Sequence, residues 1–375
     1  MTFQPISPFT SSKFRFYAFI SMLLLVFVHG YNLQNRYLQP FTVVEEPLSF
    51  NTFSQYFLAN GIFRFRIPML FIISGYLFAM HDYKPYKQVV GKRVRTLLLP
   101  YVIWSAFGLL LTYALEMIPL TKQYIISSGL MTIDEHRNLL HDYKWYEWIG
   151  RWLMVPVPYQ LWFIRVLLVY NIIYPGLRWC VERIPKIYFP FVALLWLGTF
   201  GLFFVEGEGL LFFSLGILLQ KKNFDLEHPP KWLSPVIWGF VFVSLAAVKT
   251  WLAFKGFAIM GERVYSLLAL LHKVVVFSGL VSVWYGCDAL VNWCMQRKWF
   301  VWLSAFSFFI YAFHVPLVTY AIDVVFSFTH QWPHYRLLTF VLLPLTIIGL
   351  SILVGAVIRK LLPKLYAVLT GGRGL

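Results

Sequence analysis

"LLPLTIIGLSILVGAVI", residues Leu342 to Ile358, runs for seventeen positions without a charged side chain. As a helix rising 1.5 Å per residue it covers most of a hydrocarbon core of about 30 Å. It does not alternate polar and apolar residues, as a strand of a transmembrane barrel must. Backbone polar groups find no water in lipid, so the segment is read as a membrane-spanning helix that closes its own hydrogen bonds. Arg359 and Lys360 follow it at once and mark a membrane face.

Similar runs recur in both directions along the chain. Ten helices are predicted, near 14–33, 62–80, 97–117, 160–177, 188–206, 208–220, 233–252, 265–287, 299–320 and 336–357. The fold class is therefore all-α, a polytopic membrane protein of about ten transmembrane helices, read as one integral membrane domain over residues 1–375. Composition agrees: 59% of residues are hydrophobic and 13% charged, against about 45–50% and 25% in soluble domains. The first helix has a basic start and no small-residue cleavage site after it, and is expected to be retained. Residues 118–159, rich in Trp, Tyr and charge in "EHRNLLHDYKWYEWIGRW", are expected outside the bilayer, partly as an interfacial helix.

Nineteen of the 32 Lys and Arg residues fall in one set of helix ends and short loops, among them Lys13, Arg15, Lys84, Lys87, Lys92, Arg93 and Arg95. The positive-inside rule then puts both termini in the cytoplasm. Inner-face loops account for the net charge of +16 without a soluble domain that grips nucleic acid. Cys180, Cys287 and Cys294 fall toward that reducing face, so no disulfide is expected, and their spacing is not that of a metal site.

"VFVHGYN", Val26 to Asn32, closes the first helix with a histidine in place of hydrocarbon. Helix rise places His29 about 21 Å above the inner face, with Arg66, Arg165 and His314 at about 20–24 Å. Glu206, Glu208, His272 and Lys273 fall at a similar level. An ionisable group inside a transmembrane helix costs about 2.5–3.5 kcal/mol on insertion scales unless paired or wetted. Seven helices bringing such groups to one layer imply a shared hydrated cavity; taken singly, each residue is equally consistent with snorkelling or a private structural pair. His29 is the best candidate for proton transfer. In "SAFSFFIYAFH", Ser304, Ser307, Tyr311 and His314 are predicted to share one helix face. Tyr265, His272 and Gly279 repeat every seven in the eighth span. The basic run from Lys84 to Arg95 is read either as an anchor to the anionic inner leaflet or as a site for an anionic cytosolic ligand.

In order, "VFVHGYN", "PMLFIISGYLF", the basic run into "RTLLLPYVIW", "QLWFIRVLLVY", "FFSLGILL" and "LSAFSFFIYAFHVPLV" resemble the acyltransferase 3 family of integral membrane acyltransferases. The resemblance covers nearly the whole chain. It implies a ten-helix inner-membrane protein, bacterial by kinship, that moves an acyl group from cytosolic acetyl-CoA to a hydroxyl of an extracytoplasmic or lipid-linked glycan. It makes His29 the essential first-helix histidine and Arg93 and Arg95 the basic inner-loop motif. Lys92 joins them around the CoA diphosphate, and Arg15 takes the place of a basic residue that the family often has where Ala18 stands. Arg66, Arg165 or His314 would steady the oxyanion, and Glu206 or Glu208 would orient the imidazole. Trp162, Tyr311 and His272 would face the acceptor, with Trp145 and Trp148 as further stacking candidates. No metal is expected. The competing reading is a transporter or flippase of glycan intermediates, whose central cavity would carry a similar polar layer.

Overall fold

The computed structural model describes residues 6–132 and 137–374. Glu135 and His136, at the start of the Trp-rich outer stretch, lie outside the described residues. In chain order the helices begin with α1 (Pro8–His29), α2 (Phe50–Tyr56), α3 (Arg66–Ala79), α4 (Tyr86–Glu116), α5 (Pro119–Ser128), α6 (Trp145–Leu153), α7 (Trp162–Ile172), α8 (Tyr174–Arg183) and α9 (Pro185–Leu197). A two-residue hairpin, β1 (Gly201–Leu202) against β2 (Val205–Glu206), leads into α10 (Gly207–Lys221). The chain continues through α11 (Pro235–Met260), α12 (Arg263–Gly286), α13 (Asp288–Met295), α14 (Lys298–Ser304), α15 (Ser307–Phe313), α16 (Leu317–Thr329), α17 (Tyr335–Leu361) and α18 (Pro363–Thr370). Among the described residues six helical segments are long and apolar enough to cross a membrane, or eight if the interrupted pairs α7–α8 and α15–α16 each make one crossing. In the places of the fifth and sixth predicted spans stand α9, 13 residues long, and α10, 15 residues long.

The chain divides into two compact units, one of the residues up to Gly91 with Val169–Ser304, the other of Lys92–Leu168 with Ala305 onward. In the first unit α3 and α10 lie so close that a Cβ on Gly75 would meet the Phe213 carbonyl oxygen at 2.0 Å, and one on Gly216 the Ile72 oxygen at 2.2 Å. These glycines are those of "FIISGYLF" and "FFSLGILL": each gives up side-chain volume so that two backbones can touch, the usual way helices associate where no hydrophobic effect drives them together. At the start of α1, Ser7 caps Thr10 N–H at 2.9 Å, and Glu227 accepts from the Ser7 and Thr10 hydroxyls. Lys13, with its side chain wholly buried, pairs with Asp288 at 2.7 Å and lies 4.7 Å from the Trp284 ring. In the second unit, Leu109, Ile125, Met131, Leu140 and Val157 form a core beneath α5 and the loop before α6. Glu116 is buried there and accepts the Leu140 N–H at 2.7 Å. Trp145 on α6 is 74% exposed, whereas Trp148 packs edge-on against Tyr113 at 5.3 Å.

Four expectations are corrected. The second span starts twelve residues before its predicted 62, because Phe50–Ala79 runs on through a π turn (Phe57–Gly61) and a 3-10 turn (Ile62–Phe65), so much of the expected 34–61 loop is helix. The span predicted at 160–177 breaks at Ile173, two residues before Pro175, which supplies no N–H. The span predicted at 299–320 is three pieces, interrupted at Ala305 and Phe306 and again ahead of Leu317, where α15 and α16 differ by 63° across Pro316. That break ends the uniform 100° per residue on which the Ser304, Ser307, Tyr311, His314 stripe depended. Along α12, which is continuous, Tyr265 is exposed and His272 buried, and Gly279 is filled by the Phe242 ring of α11, 2.7 Å from where a Cβ would sit. The seven-residue repeat there is a helix-packing feature at its Gly279 end.

Candidate functional site

His29 is the last residue of α1 and is half-buried between buried Val28 and Gly30. The helix stops here because the Gly30 N–H closes on the Val26 and Phe27 carbonyls and the chain is then held by an amide pair. The Asn32 N–H donates to Gln55 Oε1 at 3.2 Å, and Gln55 Nε2 donates back to Asn32 Oδ1 at 3.1 Å and to Asn51 Oδ1 at 2.9 Å. Both amides are buried, so the segment just past His29 is fixed to α2 by paired polar groups and does not fray into solvent.

The end of α1 packs on the π and 3-10 turns that precede α3, with the Phe27 and Phe63 rings 6.3 Å apart. Those turns carry Asn60, Arg64 and Arg66. Arg64 donates to the Leu38 carbonyl at 2.9 Å and Arg66, buried, to the Phe63 carbonyl at 2.8 Å. A π turn displaces carbonyls from the α-helical ladder, and the Asn60 carbonyl accepts Lys249 Nζ of α11 at 2.7 Å. Lys249 has no solvent exposure and lies 3.2 Å from His272 Nδ1 of α12. Next along α12, Lys273 sits 5.2 Å over the Trp196 ring, whose N–H donates to Glu208 at 3.2 Å. Tyr170 accepts the Glu206 N–H at 3.1 Å and donates to the Glu206 carbonyl at 2.9 Å, which fixes the turn into α10. His272 feels the charges of Lys249, Arg64, Lys273 and Arg66, and Lys273 those of Glu208 and Glu206. Among the predicted residues, the first unit thus draws Arg66, Glu206 and His272 into one electrostatic group beside the turns on which α1 ends.

Arg15 lies lower on α1 and ties it to α14, donating to Ser304 Oγ at 2.8 Å and to the Val301 carbonyl at 2.7 Å.

The second unit holds the other predicted residues. Arg165 donates to the Met154 carbonyl. Tyr311 is buried and donates to the Gln160 carbonyl at 2.6 Å, while Gln160 Nε2 reaches the Tyr311 and Ala312 carbonyls at 3.2 and 3.3 Å. His314, also buried, places Nδ1 2.9 Å from the Ile310 carbonyl. Trp162 is half-buried, edge-on to Phe163 at 6.1 Å. Lys92 and Arg95 are exposed and Arg93 half-buried. Arg93 has a companion the sequence did not suggest: Arg373, within electrostatic reach of it, donates to the Thr96 carbonyl at 3.0 Å and lies 4.8 Å over the Phe308 ring.

Lys249, Arg64 and Asn60 were not singled out in the sequence. A signal for Lys249 exists, since it stands alone deep in the apolar run "VIWGFVFVSLAAVKTWLAF", where a charge needs a reason.

A family described as an acyltransferase domain matches residues 19–358. A succinoglycan biosynthesis protein, ExoH, of Rhizobium meliloti (strain 1021) is 26% identical over 327 residues, covering 84% of this chain and 81% of the relative. No solved structure matches the chain.

Proposed function

The chain belongs to the acyltransferase 3 family, and from this premise we propose that it transfers an acetyl group from cytosolic acetyl-CoA to a hydroxyl of an extracytoplasmic or lipid-linked glycan. The observation that carries the reading is the setting of His29, a half-buried imidazole held at a helix end against the turns that carry Arg64 and Arg66. The relative's printed role in succinoglycan biosynthesis supports a polysaccharide, or its carrier-bound precursor, as acceptor. The proposed topology is ten membrane segments in the plasma membrane with both termini cytoplasmic, in line with the charge asymmetry of the loops.

His29 takes the proton of the acceptor hydroxyl as its oxygen attacks the thioester carbonyl carbon. The oxyanion that forms is met by Arg66, a buried guanidinium that belongs to the same unit. The carbon–sulfur bond then breaks, the thiolate recovers the proton from the imidazolium, and an ester and free CoA leave. In the second unit Lys92, Arg93 and Arg95 bind the donor's phosphates, with Arg373 beside them, and Trp162 serves acceptor binding; in the first, Glu206 fixes the turn into α10 and His272 serves acceptor binding. In the second unit Tyr311 and His314, both just ahead of Pro316, bond the Gln160 and Ile310 carbonyls, and Arg165 bonds the Met154 carbonyl.

The test is acceptor-dependent release of thiol from acetyl-CoA by the purified protein in proteoliposomes, with mass spectrometry of the glycan. Wild type releases thiol and adds one acetyl unit per product, and His29→Ala does neither. Full transfer by His29→Ala, or silence from wild type while glycan crosses the bilayer, overturns the reading, the latter in favour of a transporter.

A further inference from the structure

Lys249 is the least expected charge in the chain. Its ammonium is fully enclosed, and its partners are a backbone carbonyl and an imidazole nitrogen rather than a carboxylate. Around it stand Arg64 and Lys273, both within electrostatic reach. Glu208 is the carboxylate that Arg64 and Lys273 share. Even if Arg66 and Glu206 are set against each other, three cations face one anion in a region shielded from water. Burying uncompensated like charges is among the costliest arrangements a fold can keep, and apolar residues of similar size would serve stability better.

The His272 ring adds to the donors of this group. With Nδ1 accepting from Lys249, the neutral His272 ring carries its proton on Nε2, which makes it a further donor. A cleft of about 130 Å³, lined by Tyr31, Asn35, Val44 and Glu45 among others, opens beside the segment just past His29. Its Val44 N–H bonds the Ala253 carbonyl at 2.9 Å, one turn along α11 from Lys249, and Tyr31 lies within electrostatic reach of Arg64. None of the Lys249, Arg64, Lys273 and His272 side chains lines this cleft, and Glu45 does; it is open space in the same unit close to them, on the side of His29.

We propose that Lys249, Arg64, Lys273 and His272 form a binding site for one oxyanion carried by a membrane-embedded substrate. Two sources share that chemistry: the phosphate of a polyprenyl carrier and the carboxylate of an acidic sugar. The site rests on the acyltransferase reading only for the supposition that its ligand is the acceptor, and it is tested by binding without turnover, so failure of the transfer reaction leaves it standing.

The full chain in phosphatidylcholine nanodiscs is titrated with polyprenyl phosphate, with glucuronate, and with polyprenol as the neutral control. Intrinsic fluorescence is read, with Trp196→Phe as the blank because that indole lies over Lys273. A saturable response to polyprenyl phosphate alone identifies the carrier, and one to glucuronate identifies the acidic sugar. In either case Lys249→Met weakens binding about tenfold or more, the loss expected for a charge-assisted bond. It also raises the melting temperature, since it removes an uncompensated buried charge. Lys273→Met weakens binding likewise and serves if the first variant does not fold. No response to either anion, an equal response to polyprenol, or unchanged affinity in a folded Lys249→Met or Lys273→Met protein overturns the proposal.

Discussion

Lys249 and Gln160 both put a polar side chain where the sequence is otherwise apolar, and the fold uses them in opposite ways. Gln160, in the second unit, spends its amide nitrogen on the Tyr311 and Ala312 carbonyls, and its own carbonyl receives the Tyr311 hydroxyl. Those carbonyls are left over where the helix before His314 gives way to Pro316, so Gln160 repairs a break in the backbone ladder. Lys249, in the first unit, also donates to a backbone carbonyl, that of Asn60, but it meets another ionisable side chain as well and adds a charge to a group already rich in charge. Polar residues that satisfy backbone stabilise a fold, whereas polar residues that crowd one another cost stability and imply work on a ligand.

The contrast is sharpest if tested by function and stability together. His29→Ala is expected to lower turnover by about 10² to 10⁴-fold, the usual contribution of a general base, with little change in melting temperature. Gln160→Leu is expected to do the reverse. It takes a donor from the buried Tyr311 and Ala312 carbonyls, the first of which keeps His314, and this costs about 1–3 kcal/mol of stability, while the folded fraction keeps its turnover number. Thermal melts and single-turnover rates on the same samples decide the matter. A Gln160→Leu protein that melts normally but turns over slowly would erase the difference between the units.

Six long apolar spans of the described residues were legible in the sequence because hydropathy is a property of each segment alone. Leu342–Ile358 says helix whatever surrounds it, and α17 runs through it unbroken even with Pro344 inside. The breaks were not legible in that way. Apolar composition is the same on both sides of Ala305, and only the packing of neighbouring helices makes the chain turn there. The π turn at Phe57–Gly61 has no composition of its own, so the Asn60 carbonyl that meets Lys249 could not be anticipated. Gly75 and Gly216 were visible as parts of motifs, but their reason, two backbones in contact, required both helices at once. His29 stood out because nothing else in its helix end demanded a histidine. Arg373 did not, since it is 280 residues from Arg93 in the chain and the two meet only after folding.

Arg373 offers a gentler test, at the basic end of the second unit. Its guanidinium, stacked on Phe308 and bonded to the Thr96 carbonyl, stands within electrostatic reach of Arg93, and on the proposed reading it adds to the field that attracts an anionic donor. Arg373→Ala is expected to raise the KM for acetyl-CoA by no more than about fivefold, as fits a partly exposed charge, and to leave kcat alone. The increase should shrink as salt is added, because screening weakens long-range attraction first. A salt-independent effect would mean that Arg373 acts through the packing of α18 instead.

The smallest expected effect lies at the other end of α1, far along the helix from His29. Glu227 accepts hydrogen bonds from the Ser7 and Thr10 hydroxyls, and these hold its carboxyl below the usual range. The folded chain therefore binds this proton less readily than the unfolded one. The stabilisation is fully present above the ordinary carboxylate range and is lost as the pH falls through the lowered value. Because the carboxylate is only half-buried and solvent screens it, its contribution is expected to stay below about 1 kcal/mol. Melting curves near neutrality and under acid conditions measure it. Glu227→Gln keeps an acceptor for the two hydroxyls but has nothing to titrate, so it should melt slightly lower at neutral pH and lose less on acidification. An equal acid loss in both proteins would place the sensitivity elsewhere and leave the start of α1 anchored chiefly by Lys13 and Asp288.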